Sequence, residues 1–236
     1  MPNDAGKTSD LQACLELSDF LRVELDKNCL SGDTNESRRS RFVRLAALLQ
    51  NMNAGENGGG LSGALACEKV WVELLKDINL EHAKFSFNPS EADADYTFND
   101  KAFSHKTIGL RNKCADLALA WSKNNPGGVK RKFQSAMVII SFRPANQKAH
   151  TEFWRSAKTG LYIIPLDLLR KTVRKFKTNN KTSTLIPGKK VAKLMECAAK
   201  HNLFLPIEIN PGEWVDYELS YWKAGSACVV KRTVAR

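Results

Sequence analysis

Three segments in the first third of the chain carry apolar residues at intervals of three and four positions. They lie at residues 10–27, 37–50 and 61–78, and this spacing predicts amphipathic helices. The sequence NMNAGENGGG at 51–60 is rich in glycine and predicts a flexible connector. We therefore predict an N-terminal helical arm at residues 1–60, joined through this connector to a core at 61–236.

The pattern changes after residue 83. Short aromatic and β-branched stretches between turn residues predict strands, and the unbroken apolar run at 135–142 predicts a buried central strand. The predicted strands are 84–88, 94–99, 102–110, 135–142, 161–166, 203–209, 214–222 and 226–234, and the predicted helices are 112–125, 166–176 and 191–202. This order predicts an α/β fold with a mixed central sheet flanked by helices.

Composition narrows the class of protein. The chain has 236 residues, of which 43% are hydrophobic and 26% charged, as in ordinary globular proteins. Its apolar runs are all shorter than the ~18 residues of a membrane helix, and its N-terminus lacks the apolar region of a signal peptide. The six cysteines form no CxxC pair, which favours buried thiols in the cytoplasm over disulfides. The four histidines show no zinc-ligand spacing.

The distribution of charge along the chain indicates what kind of partner the protein binds. Residues 101–236 contain 26 Lys and Arg against 8 Asp and Glu, whereas residues 1–100 contain 10 against 17. A basic surface on the C-terminal part, facing a polyanion such as nucleic acid, is the preferred interpretation. The alternatives are a generally solvated basic surface and, more weakly, contact with a membrane surface.

A β-hairpin is predicted at 94–109, the sequence ADYTFNDKAFSHKTIG. Asn99 and Asp100 tolerate the positive φ of a type I′ turn. With that turn, the numbers of paired residues sum to 199, so Asp95 lies opposite Ser104. Because side chains alternate between the faces of a strand, Lys106 shares their face, whereas Phe103, His105 and Thr107 point to the other side.

An Asp and a Lys on one sheet face suit phosphodiester hydrolysis. The carboxylate can hold Mg²⁺ beside the scissile phosphate, and the Lys ammonium can orient the attacking water and offset developing charge. With Asp95 on one strand and Ser104-His105-Lys106 on the next, the hairpin resembles the PD-(D/E)XK nuclease superfamily, especially type II restriction endonucleases. The predicted order of helix, three strands, helix and strand over 61–142 resembles the core of that family.

The resemblance implies a Mg²⁺-dependent, sequence-specific endonuclease that cuts double-stranded DNA. It also implies a homodimer in the prokaryotic cytoplasm and a DNA methyltransferase in the same system. In similar enzymes the backbone carbonyl at the position of His105 is a further metal ligand. Two alternatives remain: a structure-specific or repair nuclease on the same fold, and a non-catalytic DNA- or RNA-binding protein in which Asp95 and Lys106 form an incidental ion pair.

The chain departs from the family pattern at two positions. Ala94 stands where Pro is usual, and Ser104 stands where the second acid is expected. We predict that Glu68 supplies the missing carboxylate, because it falls near the middle of the apolar arc of the helix at 61–78. A lone acid there is costly unless it is paired or bound to metal. The alternative for Glu68 is an acid at the edge of the arc that reaches solvent or an Arg, and Asp116 is the second candidate.

Basic and polar residues after the hairpin are candidates for contacts with DNA phosphates. They are Arg111, Asn112 and Lys113 after the hairpin, Arg170, Lys171, Arg174, Lys175 and Lys177 on the basic helix predicted at 166–176, and Lys181, Lys189 and Lys190 in a loop predicted at 179–190. Arg143, Asn146 and Gln147, after the central strand, are candidates for reading base edges. For any one of these residues, a solvated surface position is the competing interpretation.

Overall fold

A computed structural model describes residues 5–32, 34–45, 60–87, 94–109, 117–122, 135–142, 158–178, 181–207, 217–221 and 228–232. The helices are α1 (Ala5–Glu24), α2 (38–45), α3 (Gly60–His82), α4 (Leu166–Thr172) and α5 (Gly188–Lys200). The strands are β1 (Phe85–Ser86), β2 (Tyr96–Phe98), β3 (Lys101–Gly109), β4 (Leu117–Ser122), β5 (Ala136–Phe142), β6 (Gly160–Ile164), β7 (Arg174–Thr178), β8 (Lys181–Ile186), β9 (Phe204–Pro206), β10 (Tyr217–Tyr221) and β11 (Cys228–Arg232).

A six-stranded sheet in the order β1-β2-β3-β5-β6-β9 forms the centre of the molecule. The pairing of β3 with β5 is parallel, and the other four pairings are antiparallel. From Ala136 to Ser141 every residue of β5 is buried, as the apolar run predicted. Helices pack against this sheet, so the predicted α/β class with a mixed sheet flanked by helices is confirmed. None of the described helices is long and apolar enough to cross a membrane.

The predicted hairpin forms with the predicted register. Tyr96 pairs with Phe103 and Phe98 pairs with Lys101, so the numbers sum to 199. The two turn residues, Asn99 and Asp100, have φ values of 46° and 62°. Positive φ at both central residues is what a type I′ turn requires, and its twist matches that of the flanking strands.

The helix predicted at 112–125 is wrong in its described part, because residues 117–122 form the strand β4. This strand pairs antiparallel with β8 in a separate three-stranded sheet of order β4-β8-β7. Its sequence, LALAWS, is made largely of helix formers. Cross-strand pairing therefore overrides local propensity here. Residues 110–116 lie outside the described residues.

Two further predictions are corrected in the same sheet. The basic helix ends at Thr172, and Arg174 opens β7, because Val173 is extended (φ −71°, ψ 140°) and β-branched and aromatic residues follow. The loop predicted at 179–190 consists largely of β8 and the start of α5. The first four residues of this strand are all polar, and its threonines and serine are also typical of loops, so the local sequence does not reveal it.

The N-terminal helices pack into the core. Cys14, Leu17 and Leu21 of α1 are fully buried and belong to the same cluster as the central strands. Arg22 donates hydrogen bonds to the carbonyls of Asn202 and Phe204 at 3.0 and 2.8 Å. The division of the chain at residue 60 remains a prediction. In the structure, α1 contributes to the core that supports the central sheet.

Candidate active site

The candidate site lies along one edge of β3. This strand has nine residues, whereas its neighbour β2 has three and pairs only with residues 101–103. Within the described residues, no strand continues β2 along this edge beyond Phe103, and we call residues 104–109 on this side the open edge. Residues of a strand direct their N–H and C=O groups alternately to the two neighbouring strands. Since the Phe103 carbonyl accepts from the Asp95 amide at 3.0 Å, the amides of His105 and Thr107 point to the open edge.

Two carboxylates satisfy these amides. The His105 N–H donates to Asp95 Oδ2 at 2.9 Å, and the Thr107 N–H donates to Glu68 Oε1 at 3.3 Å. An unpaired amide at a sheet edge needs an acceptor, and here the acceptors are two acids from distant parts of the chain. The open edge therefore brings Asp95 and Glu68 together.

Glu68 is positioned by the packing of α3. Three residues later on that helix, the Trp71 indole N–H donates to the Tyr96 hydroxyl at 3.3 Å, and both aromatic side chains are fully buried. This contact joins α3 to β2 directly beside Asp95. The Glu68 side chain is 16% exposed, so it lies inside the fold but is accessible from solvent.

The charged form of Glu68 is disfavoured when the protein binds no cation. Burial raises its pKa above the ordinary value, and the nearby charge of Asp95 raises it further. Lys106 and the Thr107 amide oppose this shift but do not cancel it. Two neighbouring carboxylates with too little compensating charge favour a bound proton or a bound cation. This is the main electrostatic sign of a cation site at the open edge.

Lys106 completes the group. Its Nζ lies 3.9 Å from Glu68 Oε1, and its side chain is 32% exposed. The distance is too long for a hydrogen bond and leaves the ammonium free to meet another group. Asp95 is more open, with 43% of its side chain exposed. An anionic substrate could therefore reach both Asp95 and Lys106.

Ser104, at the position of the family's second acid, contacts the neighbouring strand segment. Its Oγ lies 2.9 Å from the Oγ of Ser135, which immediately precedes β5. A hydroxyl can bind a water or a phosphate oxygen but carries no charge to hold a cation. Sequence reasoning missed Ser135, and only its place as the first residue of the predicted central strand could have drawn attention to it.

His105 contributes through its backbone. Its side chain is buried and stacks on Tyr96 with ring centroids 6.0 Å apart. Burial lowers its pKa, and Asp95 only partly opposes this, so the imidazole is neutral at pH 7. Because the N–H and C=O of one strand residue point to the same side, the His105 carbonyl points to the open edge, where its amide binds Asp95. Its predicted role as a metal ligand stays a prediction.

The donor set fits a hard divalent cation. The carboxylates of Asp95 and Glu68 and the carbonyl of His105 all offer oxygen, which is the ligand atom that Mg²⁺ prefers. Mg²⁺ in proteins keeps several waters and needs only one or two carboxylates. The carboxylates of Asp95 and Glu68 are therefore enough to bind Mg²⁺, and no further acid is needed at the position of Ser104.

A second group of acids lies at the far end of α3. Oxygen and nitrogen atoms of Glu24, Glu81 and His82 lie within 4.8 Å of one another and could hold a metal ion. However, the fully buried Arg38 guanidinium contacts Glu24 Oε2 at 2.6 Å and Asp77 Oδ2 at 3.0 Å. We call Arg38, Glu24, Asp77 and Glu81 the arginine cluster. Its carboxylates already have a cation, so the geometry favours a structural ion-pair network.

The structure places the predicted DNA-binding residues in several elements. Arg174 is exposed at the start of β7, and Lys189 and Lys190 are exposed in the first turn of α5. The candidates Arg111, Asn112, Lys113, Asp116, Arg143, Asn146 and Gln147 lie outside the described residues. The role of these residues in DNA binding stays a prediction.

Comparison with known proteins found a similarity to a solved structure. No family model matches the chain, and no curated protein matches it. Among solved structures, the chain is similar to a protein described as a restriction endonuclease in complex with substrate DNA. The two are 16% identical, the match covers 66% of this chain and 77% of the other, and the TM-score is 0.45.

Proposed function

We propose that this protein is a Mg²⁺-dependent endonuclease of the PD-(D/E)XK type that cuts double-stranded DNA at specific sequences. The observation that supports the proposal is the meeting of Glu68, Asp95 and Lys106 at the open edge of β3. Two acids with uncompensated charge beside an accessible ammonium form an arrangement that phosphodiester hydrolysis can use.

Each residue has a distinct role in the proposed reaction. Asp95, Glu68 and the His105 carbonyl would hold Mg²⁺, and the His105 and Thr107 amides keep the two carboxylates in place. When bound, Mg²⁺ polarises the phosphate and neutralises charge on its oxygens. Lys106 orients the attacking water and offsets the negative charge that develops on the phosphate. The adjacent hydroxyls of Ser104 and Ser135 could bind a water or a phosphate oxygen.

The proposal extends to assembly and context. A homodimer would place one site on each strand of a symmetric DNA sequence, because two-fold symmetry in the protein matches two-fold symmetry in the site. An enzyme of this kind in the prokaryotic cytoplasm needs a DNA methyltransferase to protect the host genome. A methyltransferase gene beside the gene for this protein would support the restriction assignment.

Digestion of a defined plasmid tests the proposal. With Mg²⁺ the protein should give discrete fragments with reproducible ends, and EDTA should stop the reaction. Lys106→Ala should lower the cleavage rate about 10²- to 10³-fold, as expected for loss of one preorganised charge at the transition state, while it keeps DNA binding. Lys101→Ala is the matched control, because Lys101 is an exposed lysine on the same strand.

Three outcomes would reject or change the proposal. DNA binding without cleavage under any divalent metal would favour the non-catalytic binding protein. Nicking that follows DNA structure and ignores sequence would favour a repair nuclease. Equal loss of rate in Lys101→Ala and Lys106→Ala would remove Lys106 from the site.

A further inference from the structure

The imidazole of His105 is a buried polar group for which the proposed reaction has no role. His105 is 5% exposed, and within the described part of the chain its Nδ1 atom is shielded from solvent and has no hydrogen-bond partner. Buried polar atoms in folded proteins are almost always paired, so this exception needs an explanation. The Asp95 carboxylate faces the same atom, with Oδ2 at 3.5 Å from Nδ1.

Packing fixes the orientation of the imidazole. The ring stacks on Tyr96 with centroids 6.0 Å apart and planes inclined by 22°. Tyr96 in turn stacks on Phe103 at 6.1 Å, and its hydroxyl accepts a hydrogen bond from the Trp71 indole at 3.3 Å. All three aromatic side chains are fully buried. In a densely packed interior such a ring has little room to turn, so Nδ1 is held towards Asp95.

The neighbouring carboxylate decides which nitrogen of His105 carries the proton. The imidazole is neutral, because burial lowers its pKa, and a neutral imidazole has one N–H and one bare nitrogen. An ionised carboxylate only accepts hydrogen bonds. A bare Nδ1 would set two lone pairs against each other in a place that water does not reach. The geometry therefore favours the tautomer with the proton on Nδ1.

Two donors of His105 then converge on one oxygen of Asp95. The backbone N–H donates to Oδ2 at 2.9 Å, and the Nδ1–H faces the same oxygen at 3.5 Å. The second distance is longer than that of an ordinary hydrogen bond, but such contacts in free enzymes often tighten when the ligand binds. Because both donors act on Oδ2, they leave Oδ1 to a cation.

We propose that the His105 imidazole is a positioning residue for the cation site, in which its Nδ1–H holds Asp95 Oδ2 so that the other carboxylate oxygen meets Mg²⁺. The inference rests on the nuclease function proposed above and adds a role for the side chain to that of the backbone. Groups that orient a metal ligand through a hydrogen bond commonly contribute 10- to 100-fold to metal affinity or activity. His105 acts in this way through Asp95.

The position of the proton is tested by ¹⁵N NMR of the wild type in EDTA. Couplings between the ring nitrogens and the ring carbon-bound protons distinguish the two tautomers, and contacts with the Tyr96 ring assign the signals of His105 among those of the four histidines. At pH 7 the proton should reside on Nδ1. A proton on Nε2 would overturn the inference. This measurement needs no metal, no DNA and no variant.

Two variants of similar size separate the donor from the packing of the ring. Both His105→Asn and His105→Leu lose the stacking on Tyr96, but only Asn keeps an N–H donor at the position of Nδ1. The Mg²⁺ affinity follows from the rise of Tm with Mg²⁺ concentration. His105→Leu should weaken it about 10- to 100-fold, and His105→Asn should recover most of the loss. If Leu keeps the affinity as well as Asn does, the imidazole serves packing alone and the inference fails.

Phe103→Leu is the matched control for the aromatic row. It removes the other ring that stacks on Tyr96 but no donor to Asp95, so Tm should fall while Mg²⁺ affinity stays at the wild-type value. An equal loss of Mg²⁺ affinity in Phe103→Leu and His105→Leu would assign the effect to packing and overturn the inference.

The inference and the nuclease proposal can fail separately. Mg²⁺ binding that depends on the His105 donor, in a protein that never cuts DNA, would reject only the nuclease function. Mg²⁺-dependent cleavage with the same Mg²⁺ requirement in the wild type and His105→Leu would reject only the positioning role. A wild type that Mg²⁺ does not stabilise at any concentration would remove the cation site and the inference with it.

Discussion

Helix α3 contributes acids to two groups that have opposite electrostatics, with Glu68 in one group and Asp77 and Glu81 in the other. In the arginine cluster, Asp77 accepts bonds from the Leu30 and Ser31 amides, the Ser31 hydroxyl and Arg38. Burial alone would raise its pKa, but these donors outweigh burial and the pKa lies below its ordinary value. At the open edge of β3, burial also acts on Glu68, but its donors do not outweigh it and its pKa is raised.

The charges of the arginine cluster stabilise the fold, whereas the charges of Glu68 and Asp95 are available to a ligand. Arg38 is fully buried and contacts Glu24, Asp77 and Glu81 through its three guanidinium nitrogens. Its neighbours therefore have little to gain from another cation. Glu68 and Asp95 have one lysine, at 3.9 Å from Glu68, and gain more from a divalent ion than the arginine cluster does.

The largest expected effect is on stability, at Arg38. Arg38→Ala removes the buried cation that Glu24 and Asp77 share and should lower the free energy of unfolding by about 3–5 kcal/mol, measured by urea denaturation. Arg39→Ala, the neighbouring partly exposed arginine paired with Asp26, should cost at most about 1 kcal/mol. Similar losses in both variants would contradict the structural role of the arginine cluster.

Asp95→Asn should affect function more than stability. An amide oxygen can still accept from the His105 N–H, so the free energy of unfolding should change by at most about 1 kcal/mol. Loss of the negative charge should lower Mg²⁺-dependent DNA cleavage about 10²-fold or more. Rates in the presence of Mg²⁺ and urea denaturation in EDTA measure the two effects. Full cleavage by the variant would exclude Asp95 from the cation site.

Glu68→Gln should act in the opposite direction to Arg38→Ala. In EDTA it should leave stability within about 1 kcal/mol of the wild type or raise it, because it removes a poorly compensated buried charge. The wild type should be stabilised by Mg²⁺ through ligand binding, and the variant should lose this gain in thermal melting experiments. Glu73→Gln on the exposed side of α3 is the control, and an equal loss there would argue against a specific site.

The smallest effect is the pH dependence of stability in EDTA. The pKa of Glu68 is raised above 4.5, so its contribution is present below that pH and is lost as pH rises through the folded pKa. The pKa of Asp77 is lowered below 3.8, so its contribution is present above that pH and is lost as pH falls. As pH rises from about 4.5 through the folded pKa of Glu68, Glu68→Gln should gain stability relative to the wild type. The stability deficit of Asp77→Asn should stay constant over that range and shrink only as pH falls below about 3.8. If the free energies of unfolding of the two variants changed with pH in parallel, the opposite pKa shifts of Glu68 and Asp77 would be contradicted.

Local chemistry made the hairpin predictable. Asn99 and Asp100 select the turn, the turn selects the register, and alternation then places Asp95 with Ser104 and Lys106. The buried run of β5 was predictable for a similar reason, because continuous apolar residues favour a strand covered on both faces. The position of Glu68 inside an apolar arc also marked it as unusual before its neighbours were known.

Other features depend on partners that are distant along the chain. Residues 117–122 have helical propensity, and only the pairing with β8, 60 or more residues later, makes them a strand. The same pairing turned a predicted loop into β8. Neither outcome could be predicted locally, because strand pairing depends on which edge is free in the folded molecule.

The sequence by itself therefore determined the hairpin, its register, the central strand and the basic character of the C-terminal part. These features depend on neighbouring residues, whose turn chemistry and alternation act over a few positions. Only the tertiary structure decided that β2 stops short and leaves the His105 and Thr107 amides to be satisfied by Asp95 and Glu68. Glu68 is 39 residues from Thr107 along the chain, and the packing of Trp71 against Tyr96 brings them together.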